Sequence, residues 1–199
     1  MKTQVWAHRG ASAYAPENTL EAFRLAAEMG ADGVELDVQL SRDGELVVAH
    51  DETIDRVSNG TGYIKDYTLA QLKKLSFNRL FPKFKDARIP TLKEVYELLK
   101  PAGLTVNVEL KTGIILYPEI EEKVLALTAS MGMEDRVIYS SFCHPSLVRL
   151  KELNSGLKTG LLYSDGWIGA ADYGRRTVGV DDLHPALYHM QDPDLIPAA

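Results

Sequence analysis

Hydrophobic and polar positions alternate most regularly between Gly33 and Asp51, GVELDVQLSRDGELVVAHD. Leu36, Val38 and Leu40 interleave with Glu35, Asp37 and Gln39, the period-two signature of a strand with one apolar face and one face carrying two carboxylates. Asp43-Gly44 then predicts a tight hairpin, and Leu46, Val47 and Val48 return antiparallel, since so short a loop cannot join parallel strands. Counted outward from a two-residue loop, Arg42 opposes Glu45 and Asp37 opposes His50, which sets an imidazole beside the carboxylates. Two acids on a half-exposed strand are ordinarily a solvated face. That reading explains less well a second strand, LTVNVELK, ending in Glu109-Leu110-Lys111.

The rest of the chain alternates between periods of two and 3.6. Gln4–Ala7 predicts a strand that runs into His8-Arg9-Gly10, where glycine permits a sharp turn. Asn18 and Glu21 fit a capping box for a helix with Leu20, Phe23 and Ala27 inward and Gly30 at its end. A long irregular segment from Glu52 to Ile89 contains one short helix, capped by Thr68 and Gln71, and an aromatic-basic run from Phe77 to Lys85 that reads first as a solvated loop. Thr91 and Glu94 cap a further helix. Then follow strand Leu104–Lys111, helix Pro118–Met131, strand Val137–Phe142, a helix with Pro145 at its first position, strand Lys158–Tyr163, a helix over 168–176, strand Asp182–His184, and a last helix from Pro185.

Strand-helix alternation argues for an α/β fold with a parallel sheet covered by helices. Five strands end in polar groups: His8-Arg9, Glu35-x-Asp37, Glu109-x-Lys111, Ser140-Ser141 and His184. A barrel gathers strand ends around one mouth, which an open sheet does less readily, so a barrel is the expected architecture. At 199 residues the chain fits one domain, 1–199, with 39–90 as a hairpin and loop insertion. A net charge of −6 argues against a nucleic-acid partner. One cysteine, Cys143, permits no internal disulfide; with no signal-like start and no transmembrane-length apolar run, a cytoplasmic location is expected, and the oligomeric state stays open. Cys143 has no partner pattern that would make it a nucleophile.

The ordered set HRG, PENT, VELDVQLSRDGELVVAHD and VNVELK, with IPTLKEV and VIYSSF, resembles the glycerophosphodiester phosphodiesterases over about Val5 to Pro185. The resemblance implies a TIM-type (β/α) barrel of eight strands, of which this chain supplies six parallel ones and lacks the last two. It implies metal-dependent hydrolysis of glycerophosphodiesters to sn-glycerol 3-phosphate and an alcohol, with a glycerol hydroxyl attacking phosphorus and water opening a cyclic phosphate.

Three converging acids, Glu35, Asp37 and Glu109, suit one hard divalent cation, Mg²⁺ or Ca²⁺, and the resemblance implies the same three. His8 and His50 are the candidate acid and base, unassigned between them. Arg9 and Lys111 are the candidate phosphate partners, against the plainer reading of salt bridges to Glu17 and Glu109. Glu17 and Asn18 are expected to hold the first loop; Phe142, Tyr163, His184 and Trp167 are candidate pocket lining. Two other readings stand beside the first: a lysophospholipase D-type enzyme with a wider apolar mouth, and an inactive phosphate- or metal-binding module whose barrel is incomplete.

Overall fold

The computed structural model describes residues 3–166, 168–191 and 195; Trp167 lies outside them. The strands are β1 (Trp6–His8), β2 (Gly33–Leu40), β3 (Leu46–Val48), β4 (Thr105–Leu110), β5 (Val137–Ser141), β6 (Lys158–Tyr163) and β7 (Asp182–Pro185). The helices are α1 (Leu20–Glu28), α2 (Leu69–Leu72), α3 (Leu92–Leu99), α4 (Ile120–Ser130), α5 (His144–Leu153) and α6 (Ala170–Asp172), the last running on as a π-helical segment to Val178. Strand order β1-β2-β4-β5-β6-β7 follows the chain and every pairing along it is parallel. The six strands curl into a half-barrel, and β1 and β7 do not pair with each other among the described residues.

The outer face of this sheet is covered by helices. Val34, Leu36 and Val38 on β2, Val106 and Val108 on β4, and Val137 and Tyr139 on β5 pack against Phe23, Val95 and Leu150 of the helices. The register carries the alternation from strand to strand: Glu35 pairs Asn107, Asp37 pairs Glu109, and Glu109 pairs Ser140. The polar set therefore shares the inner face. β2 is buried along its whole length, so its acids are not the solvated strand face that alternation alone suggests.

The hairpin register differs from the sequence expectation by one residue. Val38 pairs Val48 and Leu40 pairs Leu46, and Ser41 N donates to Glu45 O at 3.0 Å, so Asp37 lies opposite Ala49 and not His50. Three residues, Arg42 to Gly44, make the turn, with Gly44 at φ +81° in the left-handed region. A glycine there adds one residue to the loop and shifts every pair behind it.

At the start of α1 the expected cap moves as well. Thr19 is the N-cap and accepts from Ala22 N at 3.4 Å, while Asn18 sits at φ +55° with its side chain turned inward. The boxes at Thr68–Gln71 and Thr91–Glu94 form as read. Pro145 occupies the second position of α5, the helix over 168–176 begins at Ala170, and the segment after Pro185 forms a 3₁₀ turn, Leu187–Gln191. Gly10, at φ +76°, is pressed against α1: a Cβ there would stand 2.7 Å from the carbonyl carbon of Ala22. The insertion has its own small core of Val47, Ile54, Ile64, Leu72, Phe77 and Ile89.

Candidate active site

Parallel register converges the acids. Glu35, Asp37 and Glu109 each offer an oxygen within 4.8 Å of the others, and they are 9%, 0% and 7% exposed. Burial and the neighbouring Asp37 and Glu109 charges push the Glu35 carboxyl well above its ordinary value; burial and Asp37 raise that of Glu109, against Lys111. Asp37 Oδ1 is buried and accepts no hydrogen bond. Repelling carboxylates with an orphaned oxygen form a donor set that could hold a hard metal ion.

Two cations already lean on this cluster. Lys111, one residue past β4, places Nζ 2.9 Å from Glu109 Oε1 and 3.9 Å from Asp37 Oδ1. Arg9 places Nε 3.7 Å from Asp37 Oδ2 and donates from Nη1 to Glu17 Oε1 at 3.0 Å. The salt bridges of the plainer reading are thus both present. Arg9 Nε has no hydrogen-bond partner, however, and the Arg9 backbone at φ +59° lies in a region unfavourable to side chains. The backbone N–H of Arg9 donates to Glu35 Oε2 at 3.0 Å, and Asn18 Nδ2 donates to Asp37 Oδ2 at 2.8 Å. The left-handed turns at Arg9 and Asn18 accompany direct contacts from the first loop to two of the acids.

His8 ends β1 beside Glu35, with Nε2 3.7 Å from Oε2. Its ring is 68% open at the rim, yet partial desolvation and the Arg9 charge lower its pKa. His50 reaches the site although the ladder register does not put it there. β3 ends at Val48, and the path of 49–51 is held from inside: Gln39 Nε2 donates to Ala49 O at 2.9 Å and Asp51 O at 2.7 Å, while Tyr117 donates to Gln39 Oε1 at 2.9 Å. His50 is close enough for its charge to lower the pKa of both His8 and Glu109. Its Nδ1 lies 2.6 Å from Asp51 Oδ1. Burial would raise the Asp51 carboxyl, but hydrogen bonds from Arg56 and His50 outweigh it and hold the group at about 2. An ionised carboxylate only accepts, so Nδ1 carries the proton and Nε2 is left for chemistry.

The lining candidates divide. Phe142 stands 49% exposed beside the end of β5. His184 faces inward over Gly160, where a Cβ would come within 2.5 Å of its ring, and burial lowers its pKa. Tyr163 belongs instead to the core under the helices, on the β6 face opposite Gly160, and does not line the interior. Asp51, Arg56 and Asn107 are not among the candidates named above, and Ser140 is named there only as a polar strand end. The pair His50-Asp51 was the available signal for the first; Asn107 and Ser140 follow from the register, both inward with unpartnered side-chain oxygens.

Residues 8–198 match the Glycerophosphoryl diester phosphodiesterase family. The chain belongs to that family. A glycerophosphodiester phosphodiesterase of Caldanaerobacter subterraneus is 49% identical over 197 residues, covering 98% of this chain and 80% of the relative. Among solved structures, a glycerophosphodiester phosphodiesterase from Agrobacterium tumefaciens superposes with a TM-score of 0.86 at 32% identity, over 99% of this chain and 82% of the other. An Oleispira antarctica phosphodiesterase, solved with the product sn-glycerol-3-phosphate, gives 0.81 at 30% identity over 98% and 81%. Family membership agrees with the half-barrel and the inward polar face. Among the described residues no helix is long and apolar enough to cross a membrane.

In the absence of an ion the raised carboxyls bear on stability. Folded Glu35 and Glu109 bind protons more tightly than the unfolded chain, whose value is near 4.5, so stability is lost as pH rises through their raised values. His8 and His184, whose folded values lie below the unfolded 6.5, act in the opposite sense up to about that pH, so the acids are read from the ion-induced gain in Tm, which is expected to grow from about pH 5 upward. Melting curves with chelator and with added ion test this; a gain that shrinks as pH rises would contradict it.

Proposed function

We propose that the chain hydrolyses glycerophosphodiesters, such as glycerophosphocholine or glycerophosphoethanolamine, to sn-glycerol 3-phosphate and an alcohol. One observation carries the reading: three buried acids, two cations and two histidines from distant parts of the chain meet at one end of the half-barrel. Glu35, Asp37 and Glu109 would hold one Mg²⁺ or Ca²⁺, which when bound offsets the charge of non-bridging phosphate oxygens. Arg9 and Lys111, now leaning on the acids, turn part of their donor capacity to the same phosphate.

His8, held toward its neutral form, takes the proton from the attacking glycerol hydroxyl. His50, fixed by Asp51, gives a proton from Nε2 to the departing alcohol oxygen. Reversal of the two roles lets water open the cyclic phosphate. The whole of 1–199 acts as one domain, with 39–90 as the insertion that supplies His50, and the single cysteine keeps the cytoplasm as its proposed compartment. The relatives' names and the product complex support this substrate class over a lysophospholipid, and every polar group of the site is present, which speaks against an inactive module. Coupled release of glycerol 3-phosphate, dependent on Mg²⁺ or Ca²⁺ and abolished by chelator, is expected. No release from folded protein with either ion would refute the reading.

A further inference from the structure

The insertion after β3 carries Arg56, which no motif above uses, and its guanidinium joins the two halves of the site. Nη1 and Nη2 donate to Glu17 Oε2 and Oε1, both at 2.7 Å. Nε donates to Asp51 Oδ2 at 2.7 Å, and Nη2 also reaches Asp51 Oδ1 at 3.2 Å. Two edges of one planar group therefore grip two carboxylates. Glu17 Oε1 in turn accepts from Arg9 at 3.0 Å, and Asp51 Oδ1 faces His50 Nδ1 at 2.6 Å. A continuous chain Arg9–Glu17–Arg56–Asp51–His50 results.

Arg56 is itself held. It lies in the turn closed by Ser58 N and Oγ, which donate to Ile54 O at 3.0 and 2.7 Å, and Ile54 is fully buried in the insertion's core. Arg79 Nη1 donates to Asp55 O at 2.7 Å from the other side. Arg56 is 40% exposed, and ion pairs that open to water add little to stability. What this arrangement supplies is direction: each carboxylate is fixed by one rigid fork and presents a remaining lone pair to a different group of the site.

We propose that Arg56 is a positioning residue, orienting the His50 ring through Asp51 and the Arg9 guanidinium through Glu17, so that order in the insertion is carried into the reacting geometry. The kinetic part of this rests on the phosphodiesterase reading above. Lysine retains the charge but cannot hold two carboxylates edge-on. Arg56→Lys should therefore lower kcat about 10²-fold and raise KM, the size of loss that small misplacements of reacting groups produce. Asp51→Asn should lower kcat with little change in KM, and Glu17→Gln should chiefly raise KM. Free guanidinium should restore part of the activity of Arg56→Ala. A Mg²⁺- or Ca²⁺-induced Tm shift should persist in Arg56→Lys, because Arg56 touches none of the three acids.

Nitrogen-15 spectra of the His50 ring give a readout that needs no turnover. Neutral His50 in the unsubstituted chain should hold one tautomer with the proton on Nδ1, and Arg56→Ala should mix the two. The locked ring released by that substitution supports the proposal even in a chain that shows no hydrolysis, where only the functional reading fails. Wild-type kinetics in Arg56→Lys, or a His50 ring in Arg56→Ala as locked as before, would overturn it.

Discussion

Asp37→Asn is expected to abolish the divalent-dependent reaction, lowering kcat/KM by about 10³-fold or more, because a cation at such a site contributes several kcal/mol of charge stabilisation. Asp37 is 0% exposed at the centre of the triad, paired in register with Glu109 and two residues from Glu35. Its charge raises the carboxyl pKa of both neighbours. The substitution keeps the side chain's shape and its place beside Asn18 while removing the charge. Two effects of opposite sign follow. The Tm shift produced by Mg²⁺ or Ca²⁺ should vanish. The chelated variant should be no less stable near neutral pH than the chelated parent, since Glu35 and Glu109 lose one source of repulsion. A destabilised variant that still takes up the ion with an unchanged Tm shift would show that Asp37 is a structural anion for Arg9 and Lys111 and not a ligand.

How far the chain could be read in advance depends on how local each cause is. The strands, the boxes at Thr68 and Thr91, and the inward acids were legible because side-chain period and capping chemistry are written within a few residues. The fold was legible because strand-helix alternation combined with a separated set of motifs. The His50 register was not. A two-residue and a three-residue turn both suit Asp43-Gly44, and the choice moves every opposed pair by one. The conclusion that His50 approaches the acids survived for a different reason: the chain leaves the ladder after Val48, and Gln39 and Tyr117 steer it back. That steering joins residues 78 apart in sequence. Asn18 was misread for a related reason. A residue of cap-forming type preceded a better-placed threonine, and its amide serves Asp37, which only the folded register reveals.

Removing either histidine should cost about 10²- to 10⁴-fold in kcat, the range for a positioned acid or base, and the two losses should respond differently to the leaving group. His8 is the candidate base: partial burial and Arg9 lower its pKa, and it adjoins Glu35 at the end of β1. His50 presents Nε2 with Nδ1 committed to Asp51, which suits delivery of a proton to the alcohol oxygen. A p-nitrophenyl ester of glycerol phosphate leaves as a weakly basic anion and needs no such proton. In the first turnover, before water must open the cyclic phosphate, His50→Gln should therefore release p-nitrophenolate at near the parent rate, while His8→Gln stays impaired in that step as on glycerophosphocholine. Measuring both variants on both esters decides the assignment. Recovery of His8→Gln alone would exchange the two roles; equal impairment of both on both substrates would mean that neither imidazole's loss is confined to leaving-group protonation. The discriminating force comes from the chemistry of the ester, so the result does not depend on how much either substitution loosens the mouth.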